Sequence, residues 1–531
     1  MPHMKSIASL LSIIALGFGL IGCPSSGGGG GGGSTQAFAV STTAADFGVV
    51  GSVYTSTLAV TGGTAPFTWT LFGGVLPTGS PALSLDANTG VVSGTPDAAG
   101  NFTADFIVTD STGQTATGLV LFAIHPRTDR VSVNGSGTAG SGVSSAPSIS
   151  GAGSLIAFVS QSVNFVTGVG GTQIYLHNRQ TNQIEVISRD SDTTMVNEGD
   201  GISSDPAISA NGRYVTFVSQ SGNLVPGVSG QQVYLRDRQT DQTTLVSKSS
   251  SGITSNGLVN SSPAISEDGR FIAFLSNGTN VVTGVTGQQI YLHDRVTGST
   301  SLISKNNNVP PVPGDGNSVT PAISTDGSSI VFASVATNLG AAGGNQQIYV
   351  HDRLIGVNGT TSLISKDSSA TAGNGNSSTP SVSGNGRFVA FVSGATNIVA
   401  GFTGQQVYVH DRNTGANGTN SLISRDNSGT PNAGDQNSSV PSISSDGRYV
   451  AFASLATNLE TGVSGQQIYL HDRNGPTTSL VSRDNTGSLV EGNAPSDTPS
   501  INGNGGFLTF ASQAANLVAG SGSHIYVRAI P

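Results

Sequence analysis

The chain has 531 residues, of which 10% are charged and 36% hydrophobic, and glycine alone accounts for 74. An average soluble protein carries roughly 25% charged residues, so this composition excludes long charged amphipathic helices and favours short strands between tight turns. The formal net charge is −9 and no basic run occurs, so no nucleic-acid partner is expected.

Residues 1–23 read as an export signal: Lys5, an apolar run over 7–21, then a small residue before Cys23. The run is too short for a comfortable membrane span. Cys23 is the only cysteine, so neither an internal disulfide nor a multi-cysteine metal site can form. Leu20-Ile21-Gly22-Cys23 resembles the lipobox of bacterial lipoproteins, which implies lipidation of Cys23 and attachment to a membrane. Residues 24–36 follow as a tether with seven consecutive glycines at 27–33. A flexible stretch of about a dozen residues reaches on the order of 20 Å, enough to hold a folded domain off a bilayer. Pro24 follows the acylation site with no retention-type Asp, so outer-membrane sorting is expected if the host is Gram-negative.

Residues 37–125 alternate in β fashion. Strands are expected at 55–60, 67–71, 82–85, 91–93, 102–109 and 116–124, separated by Gly62-Gly63, Asn88-Thr89-Gly90 and Asp110-Ser111-Thr112-Gly113. Trp69 and Phe67 are expected in the core, and Asp86 and Asp110 read as turn residues, not calcium ligands. The runs Gly62-Gly63-Thr64-Ala65-Pro66-Phe67-Thr68-Trp69 and Asn88-Thr89-Gly90-Val91-Val92-Ser93-Gly94-Thr95-Pro96 resemble the immunoglobulin-like (cadherin-like) module of bacterial surface proteins. That resemblance implies a small Ig-like β-sandwich.

Self-similarity dominates residues 126–531. A proline opens each of seven copies, at Pro147, Pro206, Pro263, Pro321, Pro380, Pro441 and Pro499, in steps of 57 to 61 residues. One copy reads Pro441-Ser442-Ile443-Ser444, Asp446-Gly447-Arg448-Tyr449-Val450-Ala451-Phe452, Gln466-Gln467-Ile468-Tyr469-Leu470-His471-Asp472-Arg473 and Ser479-Leu480-Val481-Ser482. Each copy holds four short strands without helical periodicity. The Asp-Gly or Asn-Gly of the first turn predicts a type I′ hairpin. Continuous apolar runs such as Phe271-Ile272-Ala273-Phe274 fit sheets covered on both faces. The fold class is therefore all-β: a seven-bladed β-propeller preceded by the sandwich. The seventh copy ends without a fourth strand, and residues 130–134 resemble that strand. Closure of the ring by this N-terminal strand is expected.

The Pro-Ala-Ile-Ser, Asp-Gly-Arg-Tyr-Val-Ala-Phe and Ile-Tyr-Leu-His-Asp-Arg runs resemble the WD40-like, TolB-type propeller repeats. No α/β pattern like TolB's N-terminal domain precedes the repeats, so TolB's own role is not expected. Relatives of the repeat often carry an Asp-rich loop before the third strand, suggestive of calcium. Here that place reads Gly401-Phe402-Thr403-Gly404 or Gly462-Val463-Ser464-Gly465, without carboxylates. No metal or other cofactor is expected, and the loops do not support calcium.

His293-Asp294-Arg295 recurs at 351–353, 410–412 and 471–473, with variants at 177–179 and 236–238. Equivalent copies around a ring read as structural hydrogen-bonding units, because a catalytic site needs convergence on one spot. The basic residues Arg189, Lys248, Lys305, Lys366, Arg425 and Arg483 read the same way. No hydrolase elbow, zinc helix or phosphate loop occurs, so no catalytic residue is assigned. Loops after strands two and four share one face and are the long ones. That face is the candidate binding face, with Asp192, Glu198, Asp200, Asp205, Asp315, Phe402, Asp435, Glu460, Glu491 and Asp497. Aromatics there are scarce (Phe165, Phe402), which weakens sugar stacking.

The functional expectation is a monomeric, lipid-anchored cell-envelope scaffold presenting the propeller to a protein partner. The alternatives are a glycan- or cell-wall-binding module and, behind it, a propeller hydrolase or lyase. Replacing Cys23 by Ser is expected to abolish fatty-acid labelling of the chain and to move it from the membrane to the soluble fraction, read by metabolic labelling and fractionation.

Overall fold

Short runs of β-branched and aromatic residues between turn formers pair here as strands, because nothing in the chain offers an amphipathic helix a charged face. The computed structural model describes residues 37–530 except 47, 80–81, 126, 193–196, 342–343, 429, 431 and 486–489. Cys23 and the tether lie outside the described residues. Apart from one 3-10 turn at Thr337–Leu339, the regular elements among the described residues are strands.

The N-terminal region is a sandwich. A four-stranded sheet runs in the order Gly48–Val49, Thr115–His125, Gly100–Thr109, Thr68–Gly74, and a three-stranded sheet in the order Tyr54–Thr57, Val91–Gly94, Ser84–Leu85. Residues 55–60, expected as one strand, are divided. Tyr54–Thr57 pairs with Val91–Gly94, whereas Val60–Thr61 pairs with Ala39–Val40. Trp69, Val92, Phe106 and Phe122 fill the core. Phe67 sits at its rim, with its ring 5.9 Å from that of Phe38. Asp86 and Asp110 are turn residues. Asp110 Oδ1 accepts from the Thr112 and Gln114 amides and the Thr112 hydroxyl, and its Oδ2 accepts from the Thr64 amide. These bonds, the Thr112 hydroxyl foremost, hold the Asp110 carboxyl below the ordinary range.

The repeats form seven four-stranded antiparallel sheets. The first copy comprises Ser144–Ile149, Leu155–Ser160, Gln173–Asn178 and Gln183–Val186. The first strands of the later copies are Ser203–Ile208, Asn260–Ile265, Ser318–Ile323, Ser377–Val382, Ser438–Ile443 and Ser496–Ile501. Each first strand touches the next, and the last touches the first, so these seven strands are innermost and the circuit is closed. Second strands such as Tyr214–Ser219 and Phe271–Ser276 are buried along their whole length, because both faces of each sheet pack on neighbours. Within each sheet a Phe of strand two stacks on a Tyr of strand three, as Phe274 does on Tyr291 at 5.8 Å.

Closure uses the expected segment, shifted by two residues. The closing strand is Thr128–Arg130, antiparallel to His524–Ala529, with Thr128 opposite Arg528 and Arg130 opposite Tyr526. Val131 continues it by donating to the Ile525 carbonyl at 2.9 Å and is fully buried. The other fourth strands end the same way: Gln242–Leu245 is followed by Val246 donating to Val233. The Val-Ser pair is therefore the strand's tail and not its centre.

The first hairpins are not type I′. Only the glycine of each turn has positive φ, as in Gly212 at 69° and Gly447 at 75°. The Asx residue stays right-handed because its side chain is occupied: Asp446 Oδ1 accepts from the Arg448 amide at 2.9 Å, and the Gly447 amide donates to the Ser444 carbonyl.

The His-Asp-Arg runs cement the ring. Arg270 grips Asp294 with two nitrogens at 3.0 and 2.8 Å, and Arg387–Asp411 and Arg448–Asp472 repeat the clamp. The run's own Arg crosses to the preceding sheet. Arg295 lies 4.3 Å over Tyr214 and donates to the Gly269 carbonyl, and Arg353 and Arg473 lie 4.1 Å over Phe271 and Phe388. The His bonds the strand-four Thr: His293 Nδ1 is 3.0 Å from Thr300 Oγ1, which donates to the Lys248 carbonyl one sheet back. A hydroxyl has one proton, so the histidine must be the donor at Nδ1. Burial, then the nearby Lys248 charge, pushes His293 down to about 4, so it is neutral at pH 7. A chain truncated to begin at residue 134, without the closing strand, is expected to melt about 10 °C or more below one beginning at residue 127, read by circular dichroism.

Candidate functional site

The seven innermost strands share a strained feature. The residue before each proline has positive φ: Ala146 49°, Asp205 51°, Ser262 51°, Thr320 48°, Thr379 44°, Val440 46° and Thr498 50°. Each lies at a break in register against strand two, as between Ser204 and Ala207. A left-handed non-glycine costs of order 1–3 kcal/mol, most at the β-branched Val440 and the threonines. The ring over-determines it. Thr320, Thr379 and Thr498 also keep buried hydroxyls with no hydrogen-bond partner.

One turn further on, a girdle of hydrogen bonds circles the axis. The Gly151 amide donates to Ala210 O, Ala210 to Glu267, Glu267 to Thr325, Thr325 to Gly384, Gly384 to Ser445 and Ser445 to Gly503, at 2.8–3.2 Å. The last link is a side chain: Asn502 Nδ2 donates to the Gly151 carbonyl at 2.9 Å. Asn502 stands where the other copies carry serine. Its Oδ1 accepts from the Phe507 amide at 2.8 Å, as Ser209 Oγ does from Tyr214.

The girdle frames a cavity of about 720 Å³ in the bore at the short-turn end. Ile149, Ile208, Ile265, Ile323, Ile443 and Ile501 line it with Glu267, Asp326 and Asp446, and no basic residue does. Asp326 and Asp446 carboxylates bond their own turns. Glu267 is exposed and its carboxylate has no hydrogen bond or ion pair among the described residues. Sequence reading passed over Glu267. The signal was present: its position holds Gly, Ala, Thr, Gly, Ser and Gly in the other copies.

The acids assigned to the long-loop face divide into three groups. Asp200, Asp315 and Asp435 are staples between the loops after strands four and two. Asp435 accepts from the Thr457 amide at 2.8 Å and its hydroxyl at 2.7 Å, while its own amide donates to Asn458 Oδ1. Asp315 repeats this with Thr337 and Asn338, and Asp200 accepts from Gly222. Asn256, Asn374 and Asn493 do the same in other copies, so the charge there is incidental to the staple. The Thr457 hydroxyl foremost holds Asp435 below the usual range. Glu460 and Glu491 tie loops down: Glu460 Oε2 accepts from the Leu480 amide, and Glu491 accepts from the Ser464 amide and hydroxyl. Asp192 and Glu198 lie in the loop before Ser203, where the Glu198 carbonyl accepts from Asn223.

Asp205 and Asp497 are not loop residues. They lie within Ser203–Ile208 and Ser496–Ile501, because the strand begins before the proline, not at it. Asp205 is the one carboxylate on the ring of left-handed residues. It remains open to water yet crowded by protein, and this crowding, partly offset by the Ser262 amide, raises its carboxyl above the ordinary value. Phe165 is 7% exposed and packs on Tyr175 with ring centroids 5.1 Å apart, so it offers no stacking surface. Phe402 is half-buried. Among the described residues, no three His, Cys, Asp or Glu converge as a metal would need.

Residues 34–124 match the family described as "Putative Ig domain". This Ig domain is the sandwich, and the region after it is similar to β-propellers of solved structure. The β-propeller domain of the Trilobed protease from Pyrococcus furiosus is 10% identical, with 73% of this chain and 95% of that chain covered and a TM-score of 0.44. The "putative TolB" from Agrobacterium tumefaciens is 15% identical, covering 73% and 91%, with a TM-score of 0.33. Pyrococcus horikoshii acylaminoacyl peptidase is 13% identical, covering 73% and 51%, with a TM-score of 0.43, so the chain spans about half of that enzyme. No curated protein matches the chain. At such identities the likeness is one of fold.

A carboxyl held above its unfolded value binds its proton more tightly in the folded state, so stability falls as pH rises past about 3.9, the unfolded Asp value. Asp205→Asn is therefore expected to raise Tm at pH 7 and to leave it unchanged near pH 3, measured by calorimetry across pH.

Proposed function

We propose that this chain is a lipid-anchored cell-envelope scaffold whose propeller binds a protein partner. The bore at the short-turn end receives a basic segment of that partner with apolar flanks. The observation that carries this reading is the cavity of about 720 Å³, ringed by isoleucines and carboxylates with no basic residue among its lining. A Lys or Arg entering there meets Glu267 free to accept, while its stem lies on the isoleucines. The girdle supports the same reading, since it fixes the mouth's backbone before any partner arrives and so lowers the ordering cost of binding. The lipobox-like leader and glycine tether support a position for such a surface at the envelope.

Cross-linking and mass spectrometry in intact cells tests this. Partner cross-links are expected to concentrate at Glu267, Asp326 and Asp446. Glu267→Lys, which leaves the girdle's backbone bonds in place, is expected to cut partner recovery about tenfold or more, the scale of losing one charge-assisted contact and adding a like charge. Equal recovery with the variant refutes the assignment.

A further inference from the structure

The groove between the fifth and sixth sheets holds a second pocket, on the flank and away from the bore. It encloses about 380 Å³, lined by Val399, Phe402, Leu422, Ile423, Arg425 and His471 together with Ser421 and Arg473. That volume lies within the range of small-molecule sites, about 300–1,000 Å³. Leu422 and Ile423 are buried and form an aliphatic floor.

Phe402 distinguishes this groove. The equivalent turn positions carry Val169, Val228, Val285 and Val463, each buried at 3–7% exposure. The larger Phe402 ring is only half-buried and stands as a wall of the pocket.

Arg425 supplies the charge. Its guanidinium has no ion pair and donates no hydrogen bond among the described residues, and its Nε is buried without a partner. Arg189, its counterpart in the first copy, is neutralised by Asp241. The next groove, of about 210 Å³, holds Arg483 and Arg528 but also the Asp472 carboxylate. No carboxylate lines the Phe402 pocket. His471 adds no charge: burial first, then the Arg425 cation, hold it at about 4, and Nδ1 is spent on Thr478 at 3.0 Å. Arg473 is engaged, lying over Phe388 and donating to the Gly447 carbonyl.

An unpaired guanidinium in the wall of a half-apolar pocket calls for one planar anion on a hydrophobic body. We propose that this pocket binds a carboxylate carried on an aliphatic or aromatic group. The carboxylate pairs with Arg425, and the body lies between Phe402 and the floor of Val399, Leu422 and Ile423. A free carboxylic acid and a peptide's terminal carboxylate share this chemistry.

The test uses the full chain and hexanoate, followed by calorimetry and saturation-transfer NMR. Saturable binding near 1 mM is expected for a ligand of this size, to order of magnitude. Arg425→Gln should weaken it about tenfold or more, and Phe402→Val, the residue of the sister copies, about threefold. 1-Hexanol should fail to compete. A Leu-terminated tripeptide and its C-terminal amide separate the sources. Binding of the acid peptide but not the amide upholds the site and assigns it to chain termini; binding of hexanoate alone upholds it and assigns it to small acids. Absence of saturable hexanoate binding overturns the proposal. So does equal affinity in a folded Arg425→Gln or Phe402→Val variant, or competition by hexanol. Because Phe402→Val restores a side chain the fold already accommodates four times, it remains informative if Arg425→Gln fails to fold.

Discussion

Ring closure is the constraint on which everything else rests. Seven sheets buried on both faces have no stable open form, since the two end sheets would expose faces such as Ile156, Phe158, Val527 and Ile525, each at 1% or less. The chain meets this by lending Thr128–Arg130 to the seventh sheet. Three further hydrogen bonds seal the seam: Thr128 accepts from Arg528 and donates to the Arg483 carbonyl, and Ser132 Oγ accepts from the Ile525 amide. The N-terminal and C-terminal ends of the repeat region must therefore meet before the seventh sheet is complete. Contacts about 400 residues apart in sequence carry the last step, which makes closure entropically the most demanding event in folding.

Closure also explains why strain can persist near the axis. Each left-handed residue before a proline would relax in an isolated sheet. In the ring its neighbours on both sides are fixed, and the girdle from Gly151 to Gly503 locks the adjoining turn. The girdle needs six copies to present a backbone amide at one place and the seventh to present a carbonyl there. It tolerates any side chain there, which is why Glu267 can appear without cost to the architecture. The seventh copy solves the seam differently, with Asn502 taking over two serine bonds and adding the link to Gly151.

Much of the fold was legible because repetition multiplies a weak signal: one Pro-x-Ile-Ser run says little, while five such runs and two close variants at near-constant spacing define a unit. The closing strand was legible for the same reason, since Val131-Ser132 matches Val246-Ser247. The type I′ turn was misread because Asp446 spends its carboxylate on the Arg448 amide and leaves only Gly447 left-handed. Asp200, Asp315 and Asp435 looked like free surface charge because their partners lie 22 or 23 residues away in another loop, beyond any local pattern. Asn256 and Asn374 in the same register were the clue, since a residue that alternates between Asp and Asn is chosen for its acceptor and not for its charge. The strained position was illegible because residues before proline ordinarily favour extended backbone.

In a ring built by repetition, positions that agree among copies report the architecture, and function has room only where copies differ. The clamp of Arg270 on Asp294 recurs, so it is cement, weakened by its exposure to solvent. Asp435 recurs as Asp or Asn, so it is a staple. Among the positions that do not recur are Asp205 on the strained ring, Glu267 at the girdle, Asn502 at the seam and Phe402 in its groove. Asn502 is explained by closure. The other three sit beside open volume or water, where a departure from the repeat stabilises nothing in the ring itself. The Glu267 carboxylate has no partner among the described residues, and the cavities that Glu267 and Phe402 border differ in sign: acidic in the bore, basic beside Phe402. One scaffold thereby offers opposite electrostatic preferences at two separated places, without altering a single strand.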